Sequence, residues 1–289
     1  MKPATFIYHR ASSLDDALAL LAEHPDAKPL AGGQSLIPAM NFRLSQPAAL
    51  VDLNAAGDLS GISQLPGGGI RIGAMTRHAA VERSDLVRDF APLLREAMPH
   101  VAHPQIRNRG TIGGSIAHAD PSAEVPGVML ALDATFVARS RGGERRIAAR
   151  DFFTGLFATA LEPGELLVAV ELPARAPRSG SAFLEVARRH GDFALAGAAA
   201  DVTLDARGHI ARARLALISV ADRPILAAAA DALVGREPAE DAIRSVAEAA
   251  RDALDPPADI HADARYRRHL AEVLARRALT QAVRRASAG

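Results

Sequence analysis

Apolar residues in the first part of the chain follow two periods in turn. Leu14, Ala17, Leu18 and Leu21 recur at helical spacing and share one face. Ser12 or Ser13 stands before them as a cap, and Asp15 and Asp16 fall in the first turn, where acidic groups are favoured. Short apolar runs at 6–8 and 28–31 predict flanking strands. The second run leads straight into Gly32 and Gly33, and an apolar, helix-like stretch follows as far as Phe42. A further buried strand is predicted at 49–53.

The glycine-rich stretch 57–69, broken by Pro66, predicts a subdomain boundary. Beyond it the pattern predicts a strand at 70–72, helices around 77–87 and 91–98, a glycine loop at 110–115 and a helix at 122–132. A strand at 134–138 turns at Gly142 and Gly143, and an alternating strand at 166–172 ends at Pro173. A second boundary is expected within 173–180. Three antiparallel strands follow at 182–187, 194–204 and 210–218, then helices at 241–254 and 263–286. The fold class expected is α+β. Residues 1–177 form two α/β subdomains (about 1–56 and 57–177), and 178–289 form a C-terminal α+β domain, an antiparallel sheet with helices.

Composition narrows the chemistry. With 289 residues there is enough chain for more than one hydrophobic core. Lys plus Arg (34) and Asp plus Glu (33) nearly cancel without a separate basic block, so no nucleic-acid or anionic-membrane field is indicated. No stretch has the length and apolarity of a membrane span, and the polar residues among the first sixteen break the apolar core of a signal peptide, so a cytoplasmic protein is expected. The absence of cysteine excludes disulfides, a catalytic thiol and ordinary iron–sulfur ligation in this chain.

Two segments carry the candidate chemistry: Ala31-Gly32-Gly33-Gln34-Ser35 and Arg109-Gly110-Thr111-Ile112-Gly113-Gly114-Ser115. Glycine pairs let backbone approach an anion closely, and successive N–H groups with Ser or Thr hydroxyls can wrap phosphate oxygens. Either pair alone could equally be a tight turn; two together suit the two sides of a pyrophosphate. Neither matches the G-x-G-x-x-G fingerprint or the P-loop. Gly113-Gly114-Ser115-Ile116-Ala117 lacks the last glycine of a nucleophile elbow, and His118 reads as a loop or core residue. His100 and His103, flanked by Pro99 and Pro104 with no acid nearby in sequence, read as loop residues rather than metal ligands. Arg107 and Arg109 fit phosphate neutralisation and surface salt bridging equally well.

The segments 30–38 and 106–121, with Asp151-Phe152-Phe153, Leu161-Glu162-Pro163-Gly164-Glu165 and Gly191-Asp192-Phe193 in the same order, resemble the FAD-binding medium subunit of the carbon monoxide dehydrogenase and xanthine dehydrogenase family over nearly the whole chain. The resemblance implies non-covalent FAD between the two subdomains, with the C-terminal domain closing over it. It implies that Pro29, Leu30, Ala31, Gly32, Gly33, Gln34, Ser35 and Leu36 line the pyrophosphate, and that Thr111, Gly113, Gly114 and Ser115 form the opposing loop. Glu124 would contact the adenosine part, and Val101, Leu166 and Phe193 would border the flavin. Gln34 stands where the carbon monoxide enzymes often carry histidine, so carbon monoxide itself is not implied as substrate.

By the same likeness the partners are a small subunit with two [2Fe–2S] clusters and a large subunit with the molybdenum cofactor, assembled as a dimer of heterotrimers. FAD would take electrons singly from the clusters and pass them to an external acceptor. No acid, base or nucleophile set is evident in this chain, so the expected oxidoreductase chemistry on substrate lies with a partner. The absence of cysteine argues against the cluster-bearing benzoyl-CoA reductase branch and against a cysteinyl flavin. The competing class is a cofactor-free assembly subunit of such a complex, against which the intact glycine motifs count.

Overall fold

A computed structural model describes residues 1–289. In its first unit, strand β1 (Ile7–Arg10) leads to helix α1 (Leu14–Glu23), strand β2 (Ala27–Leu30), helix α2 (Leu36–Asn41) and strand β3 (Ala49–Asp52). The strands are parallel in the order β1-β3-β2, with α1 as a crossover. Ser13, rather than Ser12, caps α1: its Oγ accepts from Asp16 N at 3.1 Å. The apolar face of α1 packs with Val51 and Leu53 and reaches Leu166 and Val168 of the next unit, so one small core joins the two.

The second unit is built on a five-stranded antiparallel sheet. Strands β4 (Ile62–Gln64) and β5 (Ile70–Gly73) precede short helices α3 (His78–Arg83), α4 (Asp85–Phe90), α5 (Pro92–Ala97), α6 (Pro104–Arg107), α7 (Ile112–His118) and α8 (Glu124–Ala131). Then come β6 (Thr135–Ser140), β7 (Gly143–Ala148), the single turn α9 (Ala149–Phe152), the small hairpin β8 (Phe153–Gly155) and β9 (Ala158–Thr159), and β10 (Leu166–Leu172). The sheet order is β4-β5-β10-β6-β7. The single helix expected over 77–87 is two helices, because Ser84 stops α3 in extended backbone and its Oγ caps α4 through Val87 N at 3.3 Å. The hairpin β8–β9 has no counterpart in the sequence reading; its strands are only three and two residues long, too short to show a period.

The third unit contains β11 (Ser179–Ala187), β12 (Ala194–Leu204), β13 (Ile210–Ile218) and β14 (Ile225–Leu226) in one antiparallel meander, followed by α10 (Glu240–Asp252) and α11 (Ala264–Ala288). Asp263 caps α11, accepting from Tyr266 N at 2.7 Å. The two faces of this sheet join different cores. Ala182, Ala196, Ala198 and Ala200 pack with α10 and α11, while Phe183, Ala199, Ala216 and Ile218 join α5 and α8 of the second unit. That double burial explains why 194–204 is almost continuously apolar instead of alternating. The result is a mixed α+β protein in which no helix is long and apolar enough to cross a membrane.

Candidate functional site

The first glycine loop links β2 to α2. Five successive backbone N–H groups, from Gly32 to Leu36, donate to no acceptor in the protein, whereas the N–H of Ile37 returns to Gly33 O at 3.1 Å. Gly33 has φ +71°, a conformation that costs an L-residue roughly 1–2 kcal/mol. Gln34 Nε2 donates to Gly32 O at 2.9 Å and stiffens the loop from inside. Runs of unpaired N–H groups are anion-binding concavities. Pro29 and Ser35 are exposed, and Leu30, Ala31 and Leu36 are partly so.

The second loop differs: nearly all its donors are already used. Ile112 N donates to Thr76 O (3.0 Å), Gly113 N to Ala74 O (2.8 Å), Ser115 N to Thr111 O (3.0 Å), and Gly114 N to Thr111 Oγ1 (3.0 Å), which caps α7. The Thr111 N–H and the Ser115 hydroxyl donate to nothing within the protein, and the backbone of Gly114 is bare. Gly113 is glycine for packing, since a Cβ there would lie 2.4 Å from Ala74 Cβ. The loops touch. A Cβ on Gly32 would fall 2.3 Å from Arg109 O, and one on Gly114 would come within 3.5 Å of Ala31 Cβ.

Polar side chains bind this contact together. The Tyr8 hydroxyl donates to Asp52, which also accepts from Asn54 N at 2.9 Å and from the Asn54 amide. Burial raises the Asp52 carboxyl, but these donors outweigh it and hold the group below the usual range. Asn54 Nδ2 donates to Ala31 O in the first loop (3.0 Å), and Arg77 donates to Asn54 Oδ1 (2.6 Å) and to Arg109 O in the second. His78 lies buried against Gly110, and burial pushes its imidazole down to about 4, so it is neutral at pH 7. No local motif in the sequence marks these four side chains, Tyr8, Asp52, Asn54 and Arg77.

Beyond the second loop, Val101 is nearly buried in the second unit's core and Leu166 is 4 % exposed in the core shared with α1. Phe193 is 66 % exposed, so it is not a core residue. It sits past the β11–β12 turn, where a side chain on Gly191 would strike His103. Glu124 opens α8 and is buried; desolvation, and secondarily the nearby Glu185, push its carboxyl up to about 7. His100 does have an acidic partner, 85 residues away: its Nδ1 lies 3.1 Å from Glu185 Oε1, a hydrogen bond that raises its pKa. It belongs to a 3₁₀ turn, His103 caps α6 by position, and no cluster of metal ligands is formed.

The two arginines beside the second loop differ in their surroundings. Arg107 is buried, bonds Glu82 Oε2 (2.9 Å) and donates to the carbonyls of Val101 and Ala102 (both 3.2 Å), so it builds the turn beside the loop. Arg109 is exposed and its side chain bonds nothing in the protein. His118 ends α7 and packs on Phe157, 5.1 Å between ring centres; Ser115 makes no bond to it, so no hydrolytic pair exists.

Two known sequence profiles cover the chain: the FAD binding domain in molybdopterin dehydrogenase over residues 4–175, and the CO dehydrogenase flavoprotein C-terminal domain over 181–282. The chain is 44% identical over 288 residues to the 6-hydroxypseudooxynicotine dehydrogenase complex subunit alpha of Paenarthrobacter nicotinovorans, covering 99% of this chain and 97% of that one. It is 42% identical over 291 residues to the carbon monoxide dehydrogenase medium chain of Afipia carboxidovorans, covering 99% of each. The fold superposes on a solved chain of carbon monoxide dehydrogenase from Hydrogenophaga pseudoflava with a TM-score of 0.96, 40% identity and 99% coverage of both. The profiles, the identities and the two facing glycine loops agree, and the chain belongs to the family of FAD-binding flavoprotein subunits of molybdenum-containing dehydrogenases and hydroxylases.

Proposed function

We propose that this chain binds one FAD non-covalently and relays electrons, one at a time, from [2Fe–2S] clusters on a small partner subunit to an external acceptor, while a large molybdenum-cofactor subunit oxidises the substrate. The observation that carries the reading is the first loop: five successive N–H groups without a protein acceptor, pressed against a second loop that offers the Thr111 N–H and a free Ser115 hydroxyl. A pyrophosphate fits that donor set, since it brings the acceptors these groups lack.

On this reading Pro29 to Leu36 cradle one side of the pyrophosphate and Thr111, Gly113, Gly114 and Ser115 wall the other. Glu124 accepts a hydrogen from the adenosine part, and Val101, Leu166 and Phe193 border the flavin. When bound, FAD supplies the redox chemistry, taking single electrons and releasing pairs. The chain's own residues hold, orient and shield it. The assembly is a dimer of heterotrimers acting in the cytoplasm; relatives named as a complex subunit and as a medium chain support the presence of partner subunits.

The test is the visible spectrum of the full chain expressed alone, before and after acid precipitation. Stoichiometric FAD released into the supernatant is the expected outcome. A folded, colourless protein that ignores added FAD would overturn the reading in favour of a cofactor-free assembly subunit.

A further inference from the structure

We propose that Arg77 and Asn54 are positioning residues for the FAD pyrophosphate, holding the two glycine loops at contact distance across the junction of the first two units. The inference rests on the FAD reading and adds residues that no glycine motif contains.

The geometry forms one chain of bonds. Asn54 has both amide hydrogens committed, one to Asp52 and one to Ala31 O at 3.0 Å, which leaves its Oδ1 facing Arg77 Nη2 at 2.6 Å. The other prong of the same guanidinium, Nη1, donates to Arg109 O. The first loop is thus tied through Asn54 and Arg77 to the second, at the point where Gly32 already meets Arg109 O and Gly110. Arg77 is further fixed by its own backbone, which bridges Thr111 in antiparallel fashion while His78 N donates to Gly110 O at 3.0 Å.

The spacing of two phosphate loops must match one pyrophosphate, so a brace that sets it controls affinity without touching the ligand. Arginine suits the task because its planar fork serves two acceptors at once; lysine, a point charge, holds one at a time.

The experiment uses the full chain and the variants Arg77→Met, Arg77→Lys, Asn54→Ala and the Arg77→Met/Asn54→Ala double. FAD affinity is read by quenching of flavin fluorescence, the pyrophosphate by phosphorus NMR, and the apoprotein by thermal unfolding. Each single variant is expected to weaken FAD roughly ten- to a hundred-fold, the scale of a lost charge-assisted hydrogen bond. The double variant is expected to be no worse than the weaker single, because both remove one bridge. Lysine is expected to restore only a small part, and the phosphorus resonances to move while the flavin absorption keeps its shape.

Unchanged FAD affinity, additive losses, or full rescue by lysine would each overturn the proposal. If Arg77→Met fails to fold, Asn54→Ala and Arg77→Lys decide it by the same criteria. Failure of the unaltered chain to bind FAD would instead overturn the functional reading itself.

Discussion

The two glycine loops look alike in sequence and differ in what their glycines do. In the first, Gly33 adopts a left-handed backbone and the N–H groups from Gly32 to Leu36 are left without protein partners. In the second, the donors of Ile112, Gly113, Gly114 and Ser115 are consumed by the fold, and Gly113 exists because Ala74 leaves no room for a side chain. One loop keeps its backbone donors free and the other is packed hard against its own subdomain. A glycine-rich motif therefore states that backbone comes close to something; whether that something is a phosphate or a neighbouring strand is settled by where the N–H groups point.

The strongest way to break this contrast is Gly113→Val. Its side chain would enter the space of the Ala74 backbone, so the apoprotein is expected to lose about 3 kcal/mol or more in denaturant unfolding measured without FAD. An unchanged midpoint would show that the second loop is not a packing element.

Gly114→Val comes next. Its Cβ would meet Thr111 Oγ1 at 2.6 Å and approach Ala31, so FAD retention is expected to be abolished while the C-terminal domain stays folded by circular dichroism and limited proteolysis. Stoichiometric flavin in that variant would show that the second loop takes no part in holding a phosphate.

Glu124 gives a prediction in pH. A carboxyl with its folded pKa raised from 4.5 to about 7 holds its proton more tightly in the folded chain, so it costs stability as pH climbs through that interval. Below it the protonated group carries no such cost. Glu124→Gln is expected to match the parent near pH 4 and to exceed it by roughly 3 kcal/mol at pH 8. Equal stability differences at both pH values would show that the burial of Glu124, with Glu185, His100 and Asp120 around it, does not hold its proton.

The smallest effect sharpens the first loop. Gly33→Ala at φ +71° is expected to lower apoprotein stability by about 1 kcal/mol, with a larger proportional loss in FAD affinity because the strained residue lies within the run of free N–H groups. Calorimetric titration beside thermal unfolding separates the two. If stability fell while affinity held, the cradle would not depend on the left-handed turn.

Much of the fold was legible in the sequence. The strands at 194–204 and 210–218 lie where their apolar runs place them, and the meander and the two final helices follow from period and turn chemistry. The break at Ser84 and the hairpin at 153–159 were not, because a capping serine in a helical pattern and a two-residue strand leave no periodic trace. Of the residues proposed for the site, the glycines, Thr111 and Ser115 were visible as motifs, and Glu124 only through the family likeness. Arg107 was visible but ambiguous, since sequence cannot say whether a guanidinium beside a loop faces ligand or carbonyl.

By itself the sequence determined the α+β alternation, the two glycine loops, the family, and, through the absence of cysteine, that no cysteine-ligated cluster can be housed in this chain. Periodicity, turn residues and ligand types are local properties and can be read along a line. Only the tertiary structure decided that Asn54 and Arg77 tie Ala31 to Arg109, that His100 meets Glu185, and that Glu124 lies out of water. Those facts join residues 23 to 85 positions apart. They arise because most polar groups brought together when the units pack find a partner, and packing, not chain order, determines which partner is within reach.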